Sequence, residues 1–244
     1  MAYVSSHREP HRSFPQPERG DVKVWRYLDL PRFIWMLSTR ALAFARADTL
    51  DDPFEGSVPH SVYEAWKANP ENAKLLENAR SGLRRQMFVS CWHANDVESE
   101  AMWRLYCGSH DGIALQTTYE KLDASLPDGV FLGQVTYLDY ECATTPPRDP
   151  LELLMSKRQA FEHEHEIRAL VWPSKSPDLV PQDLDADAQV INVVWRSKEF
   201  LEKIYVSPYA EDWYRDVVVA VMDKFAPGLK DRLTWSHMRG VPLY

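Results

Sequence analysis

The sequence predicts an α+β fold, a single domain with a central mixed, antiparallel-rich sheet flanked by helices, on three observations. Segments with the two-residue alternation of strands are interspersed with segments of helical spacing, without a regular βαβ repeat. Hydrophobic residues make up 45% of the 244 residues, enough for a substantial core. Pro- and Asp-rich stretches separate the periodic segments, where turn chemistry belongs.

The first twenty residues carry three prolines and little apolar periodicity, which predicts a flexible leader (1–20) before a domain spanning 21–244. "VKVWRYLDL" alternates as a strand, and Pro31 opens a helix in which Phe33, Ile34 and Leu37 recur at helical spacing. "ALAFARA" is extended, "DTLDDPFEGSVP" is a turn, and residues 61–80 form an exposed helix. "QMFVSCWH" and "GIALQTTY" are strands on either side of the short helix "ESEAMWRLY". "VFLGQVTYLDY" has strand composition, Pro150 starts the helix "LELLMSKRQAFE", and a Pro- and Asp-rich loop covers roughly 173–189. "VINVVW" and "EKIYVS" are strands, "AEDWYRDVVVAVMDKF" is an amphipathic helix, and "LTWSHM" is a final strand.

Charge and motif content narrow the function classes. Lys and Arg total 28 against 36 Asp and Glu, a net charge of -8, which argues against a broad nucleic-acid-binding surface. No apolar run approaches the roughly 20 residues of a membrane span, and the N-terminal stretch lacks the hydrophobic centre of a secretion signal, so a cytoplasmic protein is expected. The three cysteines, Cys91, Cys107 and Cys142, have no C-x-x-C spacing and are expected as reduced thiols, Cys91 and Cys107 in the core. The glycine signatures of Rossmann sites, P-loops and nucleophile elbows are absent.

One stretch carries organised charge: "FEHEHEIRALVWP", with Glu164, Glu166 and Arg168 in strict alternation. On a helix, Glu164 and Arg168 make an ordinary i,i+4 pair of ~0.2–0.5 kcal/mol. On a strand, which the alternation through Val171 favours, Glu164, Glu166, Arg168 and Leu170 share one face, and His165, Ile167, Ala169 and Val171 share the buried one. Two neighbouring carboxylates raise each other's proton affinity, and Arg168 counters this. Such a set orients a hydroxyl, acts as a base or binds a cation; a half-exposed Glu/Arg ladder of little energetic value is the alternative. Asp48, Asp51, Asp52 and Glu55 are read as loop-shaping residues first and metal ligands second, and His163 and His165 as packed or surface histidines. The tryptophans fall within predicted elements, so core packing is their first explanation.

The ordered succession "WRY", "ARADTLDDPFEG", "FVSCWH", "ESEAMWRLY", "DGIALQT", "VTYLDY", "KRQAFEHEHEIR" and "IYVSP" resembles the bacterial family called domain of unknown function 2971, over roughly residues 22–236. More distantly, the strand–helix–strand opening, a strand bearing Ser90 and the later Glu-x-Glu resemble the Arg, Ser, Glu-x-Glu pattern of ADP-ribosyltransferases, whose split sheet holds NAD. That resemblance implies that Arg26 contacts the NAD phosphates, Ser90 supports the nicotinamide ribose, Glu166 holds a ribose hydroxyl and stabilises an oxocarbenium-like transition state, and Glu164 activates the nucleophile. Trp92, Trp103 or Tyr106 would stack on nicotinamide, with Tyr27 and Arg168 completing the NAD-binding set. The chain departs from the pattern at Ser90-Cys91-Trp92, where a Ser-Thr-Ser-like run is usual. The expectation is an enzyme that cleaves NAD and transfers ADP-ribose to an unidentified macromolecule, in stress or phage defence. Two competitors remain: a nuclease or phosphodiesterase with Mg²⁺ or Mn²⁺ on Asp52, Glu164 and Glu166, and a non-catalytic module that binds a protein partner through aromatics such as those of "WYRD".

Overall fold

A computed structural model describes residues 2–6, 8–68, 82–108 and 111–240. The protein is α+β, with mixed, mostly antiparallel strand pairing. The chain forms two compact units interleaved along the sequence. The first comprises Met1–Glu18, Ala43–Cys91 and Pro127–Val193, and the second Arg19–Leu42, Trp92–Leu126 and Val194–Tyr244.

In the second unit, β1 (Lys23–Leu28) runs antiparallel to β4 (Ile113–Thr118), setting Arg26 opposite Leu115 and Tyr27 opposite Ala114. The other edge of β1 pairs antiparallel with the end of β3 (Phe88–Ala94), Trp25 opposite His93. β10 (Lys203–Val206) lies antiparallel on β4, and β11 (Leu233–Trp235) adds in parallel to β10. Local chemistry sets the helix starts. Asp29 caps α1 (Leu30–Thr39) by accepting from the Arg32 N–H, with Pro31 in the first turn. Ser99 caps α3 (Glu100–Cys107) and Thr118 caps α4 (Tyr119–Ser125) in the same way. The last helix, α6 (Asp212–Phe225), packs against α1. An aromatic cluster of Trp25, Tyr27, Trp103 and Tyr205, with Met102 and Ala114, forms part of the core of this unit.

In the first unit, β2 (Ala41–Arg46) pairs antiparallel with the beginning of β3, Ala45 opposite Val89. β8 (Glu166–Val171) lies beside β3 and pairs antiparallel with β5 (Val130–Gln134), Gly133 opposite Arg168. A separate parallel pair joins β6 (Thr136–Leu138) to β7 (Ser156–Arg158), Tyr137 opposite Lys157. α2 (His60–Lys67) and α5 (Pro150–Leu154) complete the labelled helices here, and β9 (Val190–Val194) neighbours β2. The apolar core gathers Phe14, Met87, Val89, Leu151, Leu154, Met155 and Leu170.

Several expectations are corrected. The start of the chain is part of the first unit: Phe14 is buried and stacks on Phe131 at 5.1 Å, Pro15 O accepts from the Gln134 N–H, and the Ser13 hydroxyl donates to Asp149 at 2.6 Å. These contacts outweigh the proline-rich composition that suggested a leader. The helix expected over 150–162 stops at Leu154, because β6 recruits residues 156–158 and Ser156 Oγ donates back to Glu152 O. The strand expected from Glu164 begins at Glu166: residues 159–164 form 3-10 turns, and His165 adopts left-handed φ 39. His165 is therefore exposed rather than on a buried face, and both faces of β8 are buried. "VFLGQVTYLDY" holds two strands, β5 and β6. Of the helix expected over 61–80, α2 occupies the first part and residues 69–80 lie outside the described residues. Among the described residues no helix is long and apolar enough to cross a membrane.

Gly133 shows how tightly the N-terminal segment is seated, since a Cβ there would lie 2.8 Å from the Phe14 Cα and carbonyl carbon. Gly133→Ala is expected to destabilise the protein by ~1–3 kcal/mol through overpacking against backbone. The urea midpoint checks this, and an unchanged midpoint would mean that residues 12–17 do not hold this position.

Candidate functional site

The chemistry-bearing residues of the first unit gather around Arg168, whose side chain is fully buried. Five hydrogen bonds use its five N–H groups. Nε donates to Glu166 Oε1 at 2.6 Å and Nη2 to Glu166 Oε2 at 2.9 Å. Nη1 and Nη2 donate to the two oxygens of Glu55 at 2.9 and 3.0 Å, and Nη1 also reaches Leu154 O at 2.5 Å. Two carboxylates thus clasp one planar cation, each by two bonds, a geometry that an ammonium cannot reproduce.

Lys157 stands at the margin of this arrangement. Its Nζ donates to Glu164 Oε2 at 2.5 Å and Glu166 Oε2 at 3.5 Å, and lies 3.8 Å from Glu55 Oε1 and 4.8 Å from the Phe161 ring centroid. The Tyr137 hydroxyl accepts from the Glu166 N–H at 2.8 Å, fixing the entry of β8. Beyond Lys157, Arg158 pairs with Asp52 at 2.8 Å and covers the Phe54 ring at 4.2 Å. Asp52 also accepts from the Phe54 N–H at 3.0 Å, the loop-shaping role expected of it.

The electrostatics separate the two glutamates. Burial acts to raise the proton affinity of Glu166, but Arg168 and Lys157 outweigh it and bring its carboxyl down to about 2. At Glu164 burial dominates and leaves the carboxyl raised despite the Lys157 ammonium. Burial likewise acts to neutralise Lys157, but Glu166 and Glu164 reverse this and its ammonium is held more firmly than usual. The Cys91 thiol is pushed up by burial and then by Glu166, so it is a neutral neighbour rather than a ready nucleophile.

The other predicted site residues are distributed as follows. Ser90 is buried on β3 within the first unit, on the strand next to β8. Arg26, Tyr27, Trp92, Trp103 and Tyr106 belong to the second unit. There the Arg26 guanidinium lies 5.7 Å from the Trp92 ring centroid. Tyr27 is buried, its hydroxyl accepting from the Ser99 N–H, and Trp103 is buried with its N–H donated to Glu98. These two rings pack edge to face at 5.0 Å, the core role that composition favours for tryptophan. Trp92 is also buried, and its indole N–H has no acceptor among the described residues. Tyr106 is exposed at the end of α3.

Glu55 and Lys157 are central to the cluster without having been assigned to it from sequence. Glu55 was visible only as part of an acidic turn, and its partner lies 113 residues away. Helical composition over 150–162 places Lys157 on a helix, and the pairing of β6 with β7 turns it toward the glutamates instead. The metal-site alternative meets a specific obstacle: each carboxylate it requires faces a fixed cation, Asp52 with Arg158, Glu164 with Lys157 and Glu166 with Arg168. Among the described residues no group of three or more His, Cys, Asp or Glu is disposed to hold a metal ion.

No protein-family model matches the chain, and neither does any curated protein or solved structure.

Removing one partner from a buried ionic group leaves the others unpaired in low dielectric. Arg168→Ala is therefore expected to cost ~3–5 kcal/mol, whereas replacing Arg168, Glu55 and Glu166 together by apolar residues of similar volume restores most of the loss. Urea denaturation of the two variants checks this; a single variant within ~0.5 kcal/mol of wild type would mean that the cluster does not hold the unit together. Acid provides a second check. Because the folded-state carboxyl of Glu166 is depressed from 4.5 to about 2, its contribution is fully present above the unfolded value and is lost as pH falls through that interval. Glu166→Gln is expected to flatten the acid limb of a stability–pH curve over that window.

Proposed function

We propose that this protein is an ADP-ribosyltransferase-like enzyme that cleaves NAD at the nicotinamide–ribose bond, with Glu166 and Glu164 as its working carboxylates. One observation carries the reading: two glutamates converge on the Lys157 ammonium, yet their environments displace their proton affinities in opposite directions. Divergent carboxylates in one site divide acid–base labour. Glu166, held ionised by Arg168, supplies fixed negative charge where an oxocarbenium-like centre develops. Glu164, with its higher proton affinity, is suited to accept a proton from water or an acceptor hydroxyl as it attacks C1′ of the ribose. Nicotinamide leaves with the electrons of the glycosidic bond, and the ribose carbon gains the new C–O bond. The position of Ser90 on the strand beside β8 is in keeping with a supporting role near Glu166. The ADP-ribose acceptor and the biological setting, stress or phage defence, belong to the same proposal.

A second reading, a non-catalytic module that binds a protein partner, is favoured by two facts. Both Glu166 oxygens are already engaged by cations, and α6 presents Trp213 at 58% exposure. Tyr214 beside it is buried, so one aromatic of "WYRD", not two, is available.

The two are separated by incubating NAD with wild type and Glu164→Gln, reading nicotinamide and ADP-ribosylated products by mass spectrometry. Glu164 is the cleaner target, because Glu166→Gln also removes a charge partner of buried Arg168. Release by wild type, reduced ~10²–10⁴-fold in a Glu164→Gln protein of unchanged fold, is the expected result. Equal release by both rejects the role of Glu164, and no release even with cell extract supplying acceptors favours the partner-binding module.

A further inference from the structure

Lys157 has no role in the Arg, Ser, Glu-x-Glu pattern, yet its ammonium hydrogen-bonds to both glutamates. The charged side chains around it come from every neighbouring element: Glu55 from the turn after β2, Glu164 from the 3-10 segment, and Glu166 and Arg168 from β8. Phe161 shields the ammonium, while Cys91 and Tyr137 face Glu166 and His163 acts on Glu164. Among the described residues that touch Lys157 or Arg168, the ionised side chains do not balance: Glu55, Glu164 and Glu166 contribute three negative charges, and Lys157 and Arg168 contribute two positive ones. Arg168 has all five N–H groups committed to Glu55, Glu166 and Leu154 O, so it has none left for Glu164. Without Lys157 the excess would grow to two negative charges, and Glu164 would lose the hydrogen bond that Lys157 provides.

We propose that Lys157 is a positioning residue of this site: its ammonium lets Glu164 and Glu166 exist as two separately acting carboxylates, and in its absence the pair holds a proton in common. The physical basis is mutual repulsion of carboxylates at close range, which water cannot screen in a buried setting. The coupling is then a property of the pair rather than of either residue. As a statement about catalysis this rests on the roles given to the glutamates above; as a statement about protons it does not. A merely structural lysine would cost stability by a similar amount at every pH when removed. A lysine that separates two carboxylates changes how many protons the folded state holds.

The test is urea unfolding of the full chain from about pH 5 to about pH 8, comparing wild type, Lys157→Met, Lys157→Arg and Lys157→Met with Glu164→Gln. In Lys157→Met the folded pair has its proton affinity raised above the unfolded value. Its stability is then present at the acid end and lost as pH rises from the ordinary carboxylate range to ~1–3 units above it, steeper than wild type by up to about one bound proton. Lys157→Arg restores the wild-type slope, and the double variant removes the extra slope because one carboxylate is gone. A Lys157→Met curve parallel to wild type, or a double variant that keeps the extra slope, overturns the proposal. Should Lys157→Met fail to fold at neutral pH, the double variant is expected to fold, and its failure also overturns the proposal. The measurement contains no NAD, so absence of nicotinamide release leaves its outcome intact. Where release is observed, Lys157→Met moves the acid limb of its pH profile upward by the same ~1–3 units.

Discussion

The bidentate grip of Glu55 and Glu166 on Arg168 is the constraint around which the first unit is organised. It joins three stretches remote in sequence: the acidic turn holding Glu55, the end of α5 at Leu154, and β8. Apolar packing around it is permissive, since residues of the right size fill a core in more than one way. A guanidinium with all five donors matched is not permissive. Moving β8 by one residue would turn Arg168 and Glu166 together to the opposite face and take Arg168 away from Glu55 and Leu154 O, so the register against β5 is set by charge as well as by shape.

The same grip determines the chemistry available. Glu166 is ionised because Arg168 is beside it, and Arg168 stays charged because two carboxylates surround it. Glu164 lies one step further out, reached by Lys157 and not by Arg168, and burial has the larger effect on it. Two residues separated by one position therefore acquire opposite proton affinities through their neighbours alone. His165 makes this possible: its left-handed conformation breaks the strand period, so Glu164 approaches Lys157 from the 3-10 turn instead of standing beside Glu166 on β8.

Much of the fold was legible because its signals are local. Pro31 and Asp29 mark the start of α1, Pro150 and Asp149 that of α5, and the alternation of "VKVWRYL" marks β1. The importance of Glu164, Glu166 and Arg168 was legible from spacing, but their arrangement was not. The alternation implied one shared strand face, whereas the chain turns at His165 and buries both faces of β8. Lys157 and Glu55 were hidden for a different reason. Helical periodicity continues past Leu154 in the sequence, and only the long-range pairing of Tyr137 with Lys157 overrides it. The seating of Phe14 was hidden by composition: three prolines suggest disorder, yet fixed φ angles also make a segment inexpensive to hold extended along β5.

A cluster with three buried carboxylates and two buried cations is a costly way to hold a core together. Desolvation of each ion takes back much of what the pairing contributes, and apolar side chains of the same volume commonly hold a fold as well or better. What such a cluster supplies, and an apolar one cannot, is fixed charge in a low-dielectric surrounding, oriented before any ligand arrives. Folding bears the cost of orienting those dipoles, so a reacting group would not bear it again. The surplus negative charge sharpens this point. A purely structural network tends toward neutrality, whereas the three carboxylates named here outnumber the two cations, and Glu164 at the rim has its proton affinity raised, as the proposed acid–base role requires. That surplus among the named ions, more than the Glu-x-Glu spacing itself, is the physical argument behind the proposal that the cluster does chemistry.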